Sequence, residues 1–404
     1  MTSTPLSNRK HIVLFGKTNV GKSSLFNAIL GQQRAIVSDT PGTTTDPVEK
    51  AMELLPYGPV VMVDTAGLSD ESILGAEREA ATKRVLENTD LAVYVTDDPA
   101  ADLTPCEIFN KRNIPYIIVL SKADQHNTDD FSSILSLLNA TNAELHMNNA
   151  TILPVSIYEA ESIENLKANL AKMLKTQQDE PSLLGGLLEA GSVVLLVVPI
   201  DSEAPKGRLI LPQVQLIRDC LDNNIRCHIT TEHTLSASIE ELSRVDLVVT
   251  DSQIFGMVDK LIPDEYPLTS FSILMARQKG NLMSLYKGTQ ALRRLKDSDR
   301  VLIAESCTHN RTHEDIGRVK LPKAIEKYSS VKPEFDFCSG KDFPEDLTTY
   351  ALVVQCGGCM MTSRAFKSRQ EKATSTGIPM TNYGMVLACT SGILDRSMEF
   401  FTTL

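Results

Sequence analysis

The sequence of 404 residues contains no tryptophan, and its aromatic content is only 5%. Basic residues are also outnumbered: 40 lysines and arginines against 51 aspartates and glutamates leave a formal charge of −11. The acidic balance argues against a surface that binds nucleic acid mainly through its phosphates, although a local basic patch is compatible with it. The C-terminal part lacks a basic block interleaved with aromatics. We therefore do not expect a nucleic-acid partner.

Long hydrophobic runs are absent as well. The longest, at residues 193–200, is strand-sized, whereas a helix needs roughly 18–20 apolar residues to span a bilayer. The N-terminal residues lack the apolar core of a signal peptide. We therefore expect no membrane association, a cytoplasmic location, and eight cysteines that are reduced thiols or metal ligands.

The remaining composition, 42% hydrophobic and 23% charged, is that of a globular α/β chain long enough for two or three domains. We predict domains at residues 8–175, 183–265 and 268–404. Apolar runs alternate with helical patterns in the first, which indicates parallel βαβ units. The predicted strands are residues 11–15, 60–64, 91–96, 116–121, 152–156, 193–199, 246–250, 300–305, 350–355 and 379–381. Helical patterns occupy residues 24–30, 212–224, 271–295 and 360–372.

An octapeptide, GKTNVGKS, follows the first predicted strand and fits the phosphate-binding pattern G-x-x-x-x-G-K-[ST]. Gly16 and Gly21 let backbone N–H groups curl around phosphates. Lys22 supplies positive charge to the outer phosphates, the Ser23 hydroxyl can bind Mg²⁺, and Ser24 opens a helix. The pattern predicts a P-loop nucleotide site.

Two further segments complete the metal side of this site. Asp64 ends the second predicted strand in the sequence DTAG, where a carboxylate can hold the Mg²⁺ shell and the Gly67 N–H can meet a γ-phosphate. The threonine-rich loop PGTTTD precedes it and can offer a second hydroxyl to the metal, for which we select Thr44. Lys22, Thr44 and Gly67 are the predicted catalytic residues.

The base side of the site is predicted at the ends of two later strands. Lys122 and Asp124 lie in the sequence SKAD, where a carboxylate can accept from guanine N1–H and its exocyclic amine, which adenine cannot satisfy. Ser156 follows the fifth strand and would close the base pocket. This pattern favours GTP over ATP.

The ordered motifs resemble GTPases of the Era/TrmE type over residues 8–175. The resemblance implies a P-loop GTPase fold, with Thr43 or Thr45 as alternatives to Thr44. Ser121 stands where that class usually has Asn, and Leu68 where Ras-like enzymes place a water-orienting Gln.

Because leucine cannot orient water, we expect slow intrinsic hydrolysis. In the potassium-activated branch of this class, an Asn at the position of Asn19 helps to hold K⁺ near the phosphates. The resemblance therefore implies potassium stimulation, with support of the loop turn as the alternative role of Asn19.

The C-terminal part carries a second pattern of possible ligands. Cys307 and His309 follow one predicted strand, and Cys356 and Cys359 follow the next in the sequence CGGC. If those strands are neighbours in a parallel sheet, the three cysteines converge at one edge. Three thiolates with a histidine suit zinc and an iron–sulfur cluster equally well. Cys389, near the last predicted strand, is a reserve ligand.

A GTPase, a small middle domain, C-x-H and then C-x-x-C resemble the FeFe-hydrogenase maturation GTPase family. That family's signature has a second histidine immediately before the C-x-x-C pair, where this chain has Gln355. The resemblance implies a 4Fe–4S cluster on three cysteines with a labile fourth position, and transfer of a diiron subcluster precursor to apo-hydrogenase. It also implies a dimer formed through the middle domain, and partner radical-SAM maturases.

Two other functions remain open from the sequence. One is an Era/TrmE-like GTPase in RNA modification or ribosome assembly with a C-terminal zinc site. The other is a regulatory GTPase whose cysteine domain senses iron or redox state.

Overall fold

The computed structural model describes most of the chain. The described residues are 5–31, 47–65, 82, 85–98, 103–125, 151–177, 180–200, 207, 209–306, 316–340 and 342–402. Backbone contacts divide the chain into two units, Met1–Asp179 and Glu180–Leu404. Within the described residues, no helix combines the length and apolar character needed to cross a membrane.

The first unit contains a six-stranded sheet in the order β2-β3-β1-β4-β5-β6, in which only β2 runs antiparallel to its neighbour. The strands are β1 Lys10–Phe15, β2 Val48–Leu54, β3 Gly58–Asp64, β4 Leu91–Thr96, β5 Tyr116–Leu120 and β6 Thr151–Pro154. The helices whose bounds lie within the described residues are α1 Lys22–Leu30, α2 Thr104–Lys111 and α3 Ala160–Thr176, with a 3₁₀ turn at Ala123–Gln125.

The core of this unit follows from side-chain spacing. The central strands β4 and β5 are buried along their whole length, as expected for strands covered on both faces. Helix α3 buries a stripe of apolar residues three to four positions apart, including Ile163, Leu166, Leu170 and Leu174. Each fully buried aliphatic side chain contributes roughly 1.5–3 kcal/mol.

The second unit contains two four-stranded parallel sheets, in the orders β10-β9-β7-β8 and β12-β11-β13-β14. The strands are β7 Val193–Val197, β8 Arg226–Thr230, β9 Leu247–Thr250, β10 Leu268–Ser270, β11 Arg300–Glu305, β12 Glu334–Ser339, β13 Leu352–Gln355 and β14 Met380–Asn382. One apolar cluster includes residues from both sheets, among them Leu195 and Leu302.

Most helices of the second unit lie between these parallel strands along the chain, and the last two follow β14. The described helices of this unit are α4 Leu211–Asp222, α5 Leu235–Glu241, α6 Phe255–Leu261, α7 Phe271–Lys279, α8 Leu282–Gly288, α9 Leu321–Ser329, α10 Ser363–Ser375, α11 Tyr383–Thr390 and α12 Leu394–Thr402. Short 3₁₀ segments lie at Ser252–Ile254 and Thr289–Arg294, and a π-helical turn lies at Ile316–Lys320.

The predicted α/β class with parallel sheets is confirmed, and every predicted strand has a counterpart. The four strands that the sequence analysis missed, β2, β8, β10 and β12, all lie at sheet edges. Three of them are mostly exposed or half-buried and so lack an apolar run, and β10 has only three residues. The division into three domains stays a prediction.

The single helix predicted over residues 271–295 is wrong, because the structure interrupts it at Gly280. There the backbone is extended, and Asn281 caps the next helix by accepting from the Ser284 N–H at 2.9 Å. A 3₁₀ segment then completes the stretch.

Candidate functional site

The loop between β1 and α1 has the conformation that its glycines predict. At Gly16 φ is +146°, and a Cβ there would lie 2.2 Å from the carbonyl oxygen of Val95, so only glycine fits. Gly21, with φ of +96°, precedes the first turn of α1, and Asn19 also adopts a positive φ of 66°. The N-terminus of α1 therefore faces the concave side of this loop. Helix N-termini are favourable places for phosphate.

Lys22 lies in this loop with only 4% of its surface exposed. Its Nζ donates to the carbonyl oxygens of Gly16 at 2.9 Å and Lys17 at 2.6 Å. Burial lowers the pKa of Lys22, and the nearby carboxylate of Asp64 opposes that shift. The ammonium is thus held in the loop that is expected to receive phosphates.

Asp64 ends β3 and is buried, and its Oδ1 has no hydrogen-bond partner within the part of the chain that the structure describes. A buried carboxylate oxygen of this kind suits a hydrated Mg²⁺ ion. Ser23 lies in the first turn of α1 and is partly exposed, and Ser24 beside it is exposed. The predicted Thr44 and Gly67, together with Leu68, lie outside the described residues.

The predicted base-side residues are brought together after β5 and β6. The Ser156 hydroxyl donates to Asp124 Oδ1 at 2.8 Å, which holds that carboxylate in place. Ser121 donates to the carbonyl oxygen of Val20 at 2.6 Å and so ties this region to the phosphate loop, despite replacing the usual Asn.

Lys122 also joins the base side to the phosphate loop, donating to the Asn19 carbonyl at 3.3 Å and to the Asp97 carboxylate at 2.5 Å. The sequence analysis missed Asp97. Its position immediately after β4 was the available signal, since the carboxyl ends of parallel strands line one crevice.

The predicted cysteine ligands follow β11 and β13. These two strands are parallel neighbours, with Ala304 opposite Gln355. The condition set by the sequence analysis, that these two strands be neighbours in a parallel sheet, is therefore met. The Cys356 N–H continues the pairing by donating to the Ala304 carbonyl at 2.9 Å. Cys307 and His309 lie outside the described residues, and the described residues alone contain no group of three candidate metal ligands.

Three polar groups surround the sulfur of Cys356, two of them N–H donors. Ser306 approaches it with its backbone N–H at 3.1 Å and its hydroxyl at 2.9 Å, and Gln355 Nε2 lies at 3.3 Å. Burial raises the pKa of the Cys356 thiol, while the Ser306 contact acts in the opposite direction. Ser306 directly precedes Cys307 in the chain. The residue before one predicted ligand therefore contacts another predicted ligand, Cys356.

The C-G-G-C turn requires one of its glycines. Gly358 has φ of +72°, and a Cβ there would approach the Phe366 ring to 2.9 Å. Thr362 caps the following helix α10 by accepting from the Ala365 N–H at 3.2 Å. The turn thus packs closely against the helix that follows it.

Lys279, the last residue of α7, is completely buried beneath this turn and was not found from the sequence. Its Nζ donates to the carbonyl of Gly358 at 2.8 Å and to that of Met361. Burial lowers its pKa, whereas Glu180 and the two cysteines, Cys359 and Cys356, act to raise it. No carboxylate among the described residues forms a salt bridge with it, which is unusual for a buried cation.

Comparison with known families finds three matches along the chain. A family model described as "Hydrogen maturase F dimerization domain" matches residues 183–280, and one described as "Hydrogen maturase F tetramerization domain" matches residues 283–400. A model described as "50S ribosome-binding GTPase" matches residues 11–122.

Curated relatives are similar over a smaller part. GTPase Der from Sulfurimonas denitrificans is 40% identical over 136 residues, which are 32% of this chain and 27% of that protein. The tRNA modification GTPase MnmE from Endomicrobium trichonymphae is 40% identical over 139 residues, which are 32% of this chain and 29% of that protein. The chain thus spans less than a third of the length of these two relatives.

Among solved structures, Era from Aquifex aeolicus bound to GDP·AlF₄⁻ matches with a TM-score of 0.34 and 19% identity. The match covers 55% of this chain and 93% of that one.

Proposed function

This chain belongs to the hydrogen maturase F family, and from that premise we propose that it is a hydrogenase maturation GTPase that also acts as a scaffold and carrier. It would bind a 4Fe–4S cluster, receive a diiron subcluster precursor as cargo, and deliver that cargo to apo FeFe-hydrogenase. Partner radical-SAM maturases would supply the cargo.

One observation carries this proposal: the adjacent carboxyl ends of β11 and β13 bring Cys356 Sγ within 3.1 Å of the Ser306 N–H, one residue before Cys307. Ligands in open parallel sheets bind at such edges. Cysteines 307, 356 and 359 would hold the cluster, with His309 as a further candidate ligand.

The surroundings suit an anionic iron–sulfur centre. The two N–H donors on Cys356 Sγ, from Ser306 and Gln355, match a sulfur that carries negative charge, and the Ser306 hydroxyl can donate to it as well. The buried ammonium of Lys279 supplies a compensating positive charge. When bound, such a cluster supplies one iron with an exchangeable coordination position. Donor type alone does not separate iron–sulfur from zinc, so the test below measures both metals.

The nucleotide site would act as a switch. Lys22 and Ser23 would hold the phosphates and Mg²⁺, Asp64 would hold the metal's water shell, and Asp124 would read guanine. Binding of GTP would bias the switch loops and so the contacts with partner proteins. We propose that K⁺ at Asn19 stimulates hydrolysis.

Self-association is supported by the two matched domains, whose descriptions name dimerization and tetramerization. The family resemblance implies a homodimer, and the second description extends the proposal to a tetramer. Size-exclusion chromatography with light scattering distinguishes the two.

The test is metal analysis with EPR on anoxically purified protein, followed by activation of apo-hydrogenase. We expect brown protein with about four irons per chain after reconstitution and broad absorbance near 400 nm, as for a 4Fe–4S protein. Protein coexpressed with the radical-SAM maturases should activate hydrogen evolution. Colourless protein with one zinc per chain would overturn the proposal and favour the RNA-modification alternative.

A further inference from the structure

We propose that Gln355 is a positioning residue that donates an N–H···S hydrogen bond to Cys356 and thereby raises the reduction potential of the cluster. Arg369 fixes the direction of that bond. This inference rests on the proposed function, because it concerns the same cysteine edge.

Gln355 is placed for this role by the fold. It is the last residue of β13, immediately before the cysteine turn, and none of its surface is exposed. Its Nε2 lies 3.3 Å from Cys356 Sγ and 3.2 Å from the Ala304 carbonyl oxygen. The Ser306 hydroxyl oxygen is a third acceptor, farther away at 3.4 Å. An amide NH₂ group has two hydrogens, and its two nearer acceptors are the Ala304 carbonyl and the Cys356 sulfur.

The orientation of the amide follows from its other contact. Arg369 Nη1 donates to Gln355 Oε1 at 2.8 Å. A guanidinium group has only donors, so the amide oxygen must face Arg369 and the NH₂ group must face the sulfur. Oxygen and nitrogen of this amide therefore cannot exchange places without losing both contacts.

Arg369 is itself held rigidly. It lies on α10, donates to the Gly340 carbonyl at 2.5 Å, and stacks over the Phe343 ring at 4.6 Å from the ring centre. A locked guanidinium transmits a fixed orientation to the amide, as supporting residues around metal ligands commonly do.

Two consequences follow for the centre. Hydrogen bonds to ligand sulfurs stabilise the more negative, reduced state of an iron–sulfur cluster and so raise its potential. In addition, the Gln355 oxygen is engaged by Arg369 and is not available to iron. Gln355, at the position of the family's second histidine, thus does not bind iron itself but donates to the ligand Cys356.

The experiment is an EPR-monitored redox titration of the full-length, reconstituted protein with the neutral substitution Gln355→Met. At a fixed solution potential, we expect the reduced-to-oxidised ratio to fall about tenfold, a downward shift of about 59 mV for a one-electron couple. Arg369→Lys keeps the charge but loses the planar fork, and it should shift the potential in the same direction by less.

The matched control is Gln370→Met, next to Arg369 on α10. Gln370 is also a buried amide, with 6% exposure, but it bonds to the backbone of Asn281 and not to a cysteine. Its substitution should leave the potential unchanged, so a general packing effect would appear in both variants.

The outcomes separate the two proposals. A wild-type protein without iron would overturn the scaffold proposal and this inference together. An intact cluster whose potential does not move in Gln355→Met and Arg369→Lys would overturn this inference alone. Loss of iron from Gln355→Met, with the cluster intact and its potential unmoved in Arg369→Lys, would overturn it in favour of direct ligation by residue 355.

Discussion

Two buried lysines, one in each unit of the molecule, have the same arrangement. Lys22 is 4% exposed and donates to two carbonyls of the phosphate loop, and Lys279 is 0% exposed and donates to two carbonyls of the cysteine turn. Burial lowers the pKa of both. In each unit, one ammonium closes a glycine-containing loop at the carboxyl end of a parallel strand.

The two lysines differ in how far they lie, along the sequence, from the carbonyls to which they donate. Lys22 is five and six residues from its acceptors, whereas Lys279 is 79 and 82 residues from its own. A short pattern can therefore encode the first contact but not the second. The same arrangement of ammonium and carbonyl groups can be recognised in the sequence only where the partners are a few residues apart.

The largest effect should come from the cysteine turn itself. Cys356→Ser should remove the 4Fe–4S signal completely, because it replaces one of the three thiolates proposed to hold the cluster. Iron content and EPR after anoxic reconstitution measure this loss. Cys227→Ser, at a partly buried cysteine of the same unit, is the control and should keep the signal. A cluster that survives in Cys356→Ser would refute the ligand set.

The next effect should come from the phosphate loop. Lys22→Ala should reduce GTP turnover by about 10²–10³-fold, the typical effect of removing one charge-stabilising donor. A phosphate-release assay measures it. Lys17→Ala changes an exposed lysine of the same loop and should retain most of the activity. The cluster spectrum should stay intact in both variants, and its loss in Lys22→Ala would show that the two sites are not separable.

Lys279→Met tests whether the second lysine matters as the comparison suggests. The substitution leaves the buried carbonyls of Gly358 and Met361 without their donor, at about 1–3 kcal/mol for each. Partial relief of the buried charge offsets this, so we expect about tenfold faster loss of iron to a chelator.

The control for Lys279→Met is Lys260→Met, which changes an exposed lysine near the end of α6. Unchanged iron release in Lys279→Met would mean that the ammonium has no part in holding the turn.

The smallest effect concerns the potassium site. Replacing K⁺ by Na⁺ should slow GTP hydrolysis a few-fold in the wild type. Asn19→Ala should make the rate independent of the choice of ion. Equal wild-type rates in the two salts would assign Asn19 to loop support alone, consistent with its positive φ of 66°.

Much of the fold and of the nucleotide site could be predicted without coordinates. The buried strands of both units appear as apolar runs, because strands covered on both faces require them. The phosphate-binding octapeptide was found because its chemistry depends on neighbours in the chain. Lys22 begins α1, and Asp124 and Ser156 lie just after β5 and β6, where the motifs lead one to look; their roles stay predictions.

What the sequence by itself determined, then, is the parallel α/β class, the GTPase motifs and the cysteine spacing, since each depends on local patterning. Only the tertiary structure decided the edge strands, the break at Gly280, and the placement of Lys279, Gln355 and Arg369 around the cysteine turn. The physical reason is that a buried polar group takes its partners from any segment that packs against it, and packing brings together residues that no short pattern connects.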